Sequence, residues 1–325
     1  MTLSRRHFFG LATGAAVLPA LSRIAQAQPY PSRPVRLVVG FPPGSTNDIL
    51  ARLIGQWLAE RLGQPFITEN RPGAGSNLAT EMVVRAPADG YTLLMAATSA
   101  AINATLYDKL NFNFIRDIAP VASILRQPHI MLLHPSVPAK TVPQFIAHSK
   151  DNPGKINMAS PGNGTGPHMA GELFKMMAGV DLVHVPYRGG APALTDLLAG
   201  QVHMMLPAPA AAIEYIRNGT LRALAVTTAT RSEALPQVPT IGEFVPGYQA
   251  DTWFGVVAPR STPGELVDKI NREINSGLAD SKMRARLDDL GGGVFPETPA
   301  EFGKLIADDT EKWGKVVRAA NIKVN

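Results

Sequence analysis

Cysteine is absent from the 325 residues, which excludes disulfides, thiolate metal sites and a cysteine nucleophile together. Charge is scarce as well, at 18% of residues. The formal +5 falls to +2 once Arg5, Arg6 and Arg23 are set aside with a segment expected to be removed, so nucleic acid is not an expected partner. After the N-terminus no apolar run is long enough to span a bilayer. Several enzyme signatures are also missing. There is no Gly-x-Ser-x-Gly elbow, no His-Glu-x-x-His zinc pair and no Gly-x-x-x-x-Gly-Lys-Ser/Thr phosphate loop. Gly162 and Gly164 begin a dinucleotide-like pattern, but it fails at Pro167. Nor do the seven histidines have metal-like spacing, and no cofactor is called for.

Glycine and proline are plentiful, 57 residues together, which suits many short turns between buried elements. The length fits two domains, each with its own core. The first 27 residues read as an address. Ser4-Arg5-Arg6-His7-Phe8-Phe9 is a twin-arginine pattern, Gly10 to Leu21 is apolar but too short to span a membrane, and Ala25-Gln26-Ala27 is a small-residue cleavage site. The mature, periplasmic chain is therefore expected to start near Gln28.

From there, strand-like and helix-like segments alternate, as in α/β folds built on mainly parallel sheets. Val35 to Gly40 reads as a strand, Phe41-Pro42-Pro43-Gly44-Ser45-Thr46 as a loop, and Asp48 to Leu62 as a helix capped by Asn47 or Asp48. Ile49, Leu53, Trp57 and Leu58 form its expected buried stripe, and Gly63 its stop. Such a strand-loop-helix unit aims free N–H groups and the positive end of a helix dipole at the crevice above the sheet, where an anion is favoured. The strand at Tyr91 to Ala96 opens into the hydroxyls of Thr98 and Ser99. Lys155 to Ala159 runs into the glycine-rich loop Ser160-Pro161-Gly162-Asn163-Gly164-Thr165, followed by a helix that begins near His168. Two further strands lead to Tyr187 and to Pro207-Ala208.

The pattern restarts near Gln127 and returns near Trp253, so residues 28–127 plus 251–325 are expected to form one domain and 128–250 the other. Each loop glycine also suits a plain tight turn, and each hydroxyl a plain helix cap. Several such loops, all at carboxyl ends of strands in two halves, favour a shared site. His129, His184 and His203, inside apolar strands, read as structural, whereas His168 stands behind a glycine loop as a site candidate. Trp253 and Phe254 suit either the core or an interdomain cleft.

The motifs Phe41-Pro42-Pro43-Gly44 with Asp48, Glu69-Asn70-Arg71-Pro72-Gly73-Ala74-Gly75, Asp89-Gly90-Tyr91-Thr92-Leu93-Leu94 and Gly162-Asn163-Gly164-Thr165 resemble those of the tripartite tricarboxylate transporter substrate-binding proteins, the TctC or Bug-type receptors of bacteria. His184-Val185-Pro186-Tyr187 and Trp313-Gly314-Lys315-Val316-Val317 extend the likeness, which covers Gln28 to Asn325. The resemblance implies a type II periplasmic binding protein, a two-domain Venus flytrap with its ligand cleft between the domains. It also implies a small carboxylate ligand handed to membrane permease subunits, with no enzymatic activity. A monomer is expected. The family's two loops pinch a ligand carboxylate partly through waters, which places Phe41, Gly44, Ser45, Thr46 and Asn47 opposite Ser160, Gly162, Asn163, Gly164 and Thr165. Thr98, Ser99, His168, Tyr187, Ala208 and Trp253 complete the expected site. Where many members carry an Asp-Asn pair, this chain has Pro207-Ala208, which favours an apolar or aromatic acid over an amino acid.

A sensor subunit of a signalling protein is the alternative role, and a hydrolase using Ser160 and His168 lacks an orienting acid. Replacing Arg5 and Arg6 together by Lys is expected to stop the form starting near Gln28 from reaching the periplasm. Undiminished export on immunoblots of periplasmic fractions overturns the twin-arginine reading.

Overall fold

The structure is a computed structural model that describes residues 30–232 and 235–323; the expected export segment, Met1 to Ala27, lies outside them. The chain begins with β1 (Val35–Val39), α1 (Thr46–Leu62), β2 (Phe66–Asn70), α2 (Asn77–Val84), β3 (Thr92–Ala97), α3 (Thr98–Leu106), α4 (Phe114–Asp117) and β4 (Ile118–Pro128). It continues with β5 (Ile130–Leu133), α5 (Val142–Asp151), β6 (Ile156–Ser160), α6 (Gly166–Ala178), β7 (Leu182–Pro186), α7 (Gly190–Leu198), β8 (Met204–Met205), α8 (Pro209–Arg217) and β9 (Arg222–Val226). It ends with β10 (Asp251–Pro259), α9 (Gly264–Ala279), α10 (Ser281–Asp288), β11 (Gly293–Val294) and α11 (Pro299–Ala319).

These strands make two sheets, ordered β11-β4-β10-β3-β1-β2 and β7-β6-β8-β5-β9. In the first, β1 runs parallel to β2 and β3, and β10 runs antiparallel to β3 and β4. In the second, β6 is parallel to β7 and β8, while β5 is antiparallel to β8 and β9. The fold is a two-domain α/β binding protein. The chain passes between sheets twice, after Pro128 and before Asp251. The first crossing is the single residue His129 and the second spans residues 227–250, and β4 and β10 pair along most of their length.

Burial explains the central strands. Every residue of β3 is buried, as expected for a central strand whose sheet is covered by helices. The stop of α1 follows expectation: Gly63 is left-handed, and its N–H reaches Ala59 O at 3.0 Å. Two details differ. The cap is Ser45, whose Oγ accepts the Asp48 N–H, and the buried stripe is Leu50, Ala51, Ile54 and Leu58. Leu53 and Trp57 lie half-buried beside it because α9 packs along α1, where the Trp57 indole donates to Glu273 O. Apolar residues flank this helix on two sides, so the stripe was ambiguous by one position. The strand expected to lead into Pro207-Ala208 is only Met204–Met205.

Trp253 anchors the returning strand. Its side chain is fully buried, donates from Nε1 to Asp309 Oδ2 at 2.8 Å and meets Phe302 edge-on. Next to it, Gly255 has no room for a side chain, since a Cβ there would collide with the Phe302 ring and the Ala122 carbonyl. Gly255→Ala is therefore expected to lower unfolding stability by about 2 kcal/mol through overpacking, measured by urea denaturation. An unchanged urea midpoint contradicts the packing described.

Candidate functional site

A cavity of about 550 Å³ lies between the two sheets, and five helices begin at its wall. Ser45 and Thr46 open α1, Ala97 and Ser99 flank the start of α3, and Thr165 and Gly166 open α6. Gly190 and Ala191 open α7, while Pro207 and Ala208 precede α8. All five follow strands, the arrangement that strand-then-helix order imposes. Side chains cap only one of these ends, that of α1; α3, α6, α7 and α8 have no side-chain cap. Their free N–H groups and dipoles make the cavity electropositive without cations. Among the described residues, no Asp, Glu, Lys or Arg lines it.

Phe41, Ser45, Thr46, Asn47, Ser99, Asn163, Gly164, Thr165 and Ala208 stand in the wall. The Ser99 hydroxyl is buried with no hydrogen-bond partner. Seven other expected residues are not in the wall, each for a local reason. Gly44, at φ +81°, turns its N–H to Asp48 Oδ2 at 3.0 Å, so that donor is already used. Burial opposes ionisation of Asp48, but hydrogen bonds from Arg52, Gly44 and Asn70 outweigh it and hold the carboxyl below its ordinary range. Thr98 is buried and accepts the Trp253 N–H at 2.8 Å. Tyr187 donates to Asp196 Oδ2 at 2.7 Å. Trp253 faces the core because neighbouring strand residues alternate, so Thr252 and Phe254 take the cavity side.

Ser160 and His168 are buried at the base of the second loop, and Gly162 shapes its turn. Ser160 Oγ lies 2.6 Å from His184 Nε2, and His168 Nδ1 accepts the Gly164 N–H at 3.1 Å. The two imidazoles stack with centroids 3.8 Å apart. Gly162 carries φ +137°, and its carbonyl accepts the Thr165 hydroxyl. Ser160 therefore pairs with His184, not His168, and it is fully buried, which removes the hydrolase pairing. Burial, with His184 and Lys175 nearby, drives His168 down to about 3, and burial, with Lys175, drives His184 down to about 4. The stack is neutral at pH 7.

Over residues 50–322 the sequence matches the tripartite tricarboxylate transporter family receptor, TctC. The chain belongs to this family. BugT of Bordetella pertussis is 34% identical to this receptor over 301 residues, 92% of each chain. Two solved structures from Rhodopseudomonas palustris are similar. Rpa4515 with adipate shares 35% identity and a TM-score of 0.79, covering 90% of this chain and 99% of its own. MatC with bound malate shares 34% and 0.76, covering 89% and 100%. The family is one of solute-binding receptors, and its members are periplasmic binding proteins. No helix among the described residues is long and apolar enough to cross a membrane.

Sequence reading missed Asn103, Tyr107, Gln127, His129, Thr252 and Tyr215 in the wall. His129 was expected to be structural, yet its Nδ1 is buried with no partner. Its position between two strands of different sheets was the one available signal. Burial pushes its imidazole down to about 4. His129 and His168, neutral when folded, both titrate near 6.5 when unfolded, so the unfolded chain binds more protons between pH 6.5 and about 4. Stability is expected to fall as pH drops through that window, by up to about 1.4 kcal/mol per unit for each group. Urea midpoints measured from pH 7 to 5 check this, and His168→Gln should flatten the slope; pH-independent midpoints contradict it.

Proposed function

We propose that this receptor is exported, is cleaved near Ala27, captures a small carboxylate in the cleft as a monomer and delivers it to the permease subunits of a tripartite tricarboxylate transporter. The observation that carries this reading is the convergence of five helix N-termini on an uncharged cavity of ligand size. Adipate with Rpa4515 and malate bound to MatC support the same ligand class. The carboxylate is held between the loops at Phe41 to Asn47 and Pro161 to Thr165 by N–H groups, hydroxyls and water. Leu194, Met205, Ala208 and Ala211 give the second domain's wall an apolar character that suits the hydrocarbon body of the acid. Residues 28–127 plus 251–325 and residues 128–250 move as two lobes on the crossings near Gln127 and Ala250, closing on the ligand.

Titration calorimetry with adipate, malate and benzoate tests this. At least one is expected to bind, and scattering should show a smaller radius of gyration on binding. Gly164 has φ +72°, and a Cβ on it would collide with Leu106 Cδ2, so Gly164→Ala displaces the loop. That change should weaken binding at least about tenfold, whereas Arg188→Ala, exposed and outside the wall, should change it less than about twofold. Loss of binding with Arg188→Ala and normal binding with Gly164→Ala would mean a conventional ion pair holds the ligand.

A further inference from the structure

Three polar residues stand together where the two interdomain strands cross the floor of the cavity. Gln127 and Thr252 are partners across β4 and β10, so their side chains share a face. His129 follows at the point where the chain leaves the first sheet, and its Nε2 lies 3.1 Å from Thr252 Oγ1. All three line the cavity, and His129 is only 3% exposed. The first residue of α6 closes over the pair: a Cβ on Gly166 would collide with the Thr252 hydroxyl.

Counting hydrogens shows what this group leaves unsatisfied. The neutral imidazole and the threonine hydroxyl carry one polar hydrogen each, and the single bond between them uses one. If Nε2 donates to Oγ1, the hydroxyl hydrogen is free; if the hydroxyl donates to Nε2, the hydrogen is on Nδ1. Neither atom has another partner among the described residues. The leftover donor is the Thr252 hydroxyl at the cavity in the first case and the buried Nδ1–H in the second; an orphaned buried N–H is the costlier of the two, so the first arrangement is favoured and leaves a hydroxyl hydrogen for the cavity. Gln127 supplies the complement. Its Nε2 donates to Leu290 O at 2.6 Å, and its Oε1 has no partner among the described residues, leaving an acceptor.

A donor and an acceptor side by side fit a group that both accepts and donates. A carboxylate oxygen accepts only and would face the Gln127 oxygen without a hydrogen between them, and a methylene would leave both groups unpaired. We propose that Gln127, His129 and Thr252 read a hydroxyl on the ligand, so that the cleft selects hydroxy-substituted carboxylic acids over their unsubstituted parents. The proposal rests on the carboxylate reading above and deepens it.

Calorimetry with pairs differing by one hydroxyl, malate with succinate and 3- or 4-hydroxybenzoate with benzoate, provides the test. In at least one pair the hydroxy acid is expected to bind about tenfold tighter or more. In Thr252→Val that ratio should fall to near one, with folding checked by the ligand-free thermal midpoint. Gln127→Met, which removes the acceptor, gives the same reading if Thr252→Val does not fold. Ratios near one for every pair in the natural protein, or a ratio retained in the folded variants, overturn the hydroxyl assignment while the carboxylate reading stands. Silence from every acid overturns both.

Discussion

Among the described residues no cationic side chain lines this cleft, and that constraint orders the rest of the structure. Each helix N-terminus presents about half a positive charge and contributes up to about 2 kcal/mol in a partly buried geometry. Several ends are therefore needed to approach the roughly 8 kcal/mol of a micromolar complex. One helix cannot suffice. Two sheets facing each other, with strands that lead into helices at the cleft, bring five ends to one volume.

The loops are consequently held from behind, by buried polar contacts that leave their front faces free. Asp48 takes the Gly44 N–H and the Asn70 amide beneath the first loop. His168 and His184 brace the second through Gly164 and Ser160. Protonating either imidazole would remove an acceptor or place charge in a buried stack, so neutrality of the pair belongs to the shape of the loop. The returning strand is fixed separately by Trp253 and Asp309.

Much of this was legible before the fold was known, where local chemistry decides local form. Gly63 had to end α1, because a left-handed residue there costs glycine little. The strand, glycine loop and helix around Gly162 read correctly from the residue types in order. No helix was read at Thr98, because the Ala-Thr-Ser opening of α3 carries no strong signal and α3 depends on packing against α11. The paired strand β4 was hidden for a related reason, since it mixes proline, serine and arginine with apolar residues and shows no clean alternation.

The sequence by itself determined the α/β order, the family and the anion-favouring loops, since these follow from spacing, turn chemistry and motifs within short stretches. Only the tertiary structure decided which residues face the cleft. Thr252 and Phe254 face the cleft and Trp253 the core behind it because the register of β10 against β3 and β4 sets the phase of its alternation. Thr252 lies 123 positions from His129 and 125 from Gln127 along the chain, and no local rule joins it to them. Their meeting depends on long-range strand pairing, a property of the folded chain as a whole.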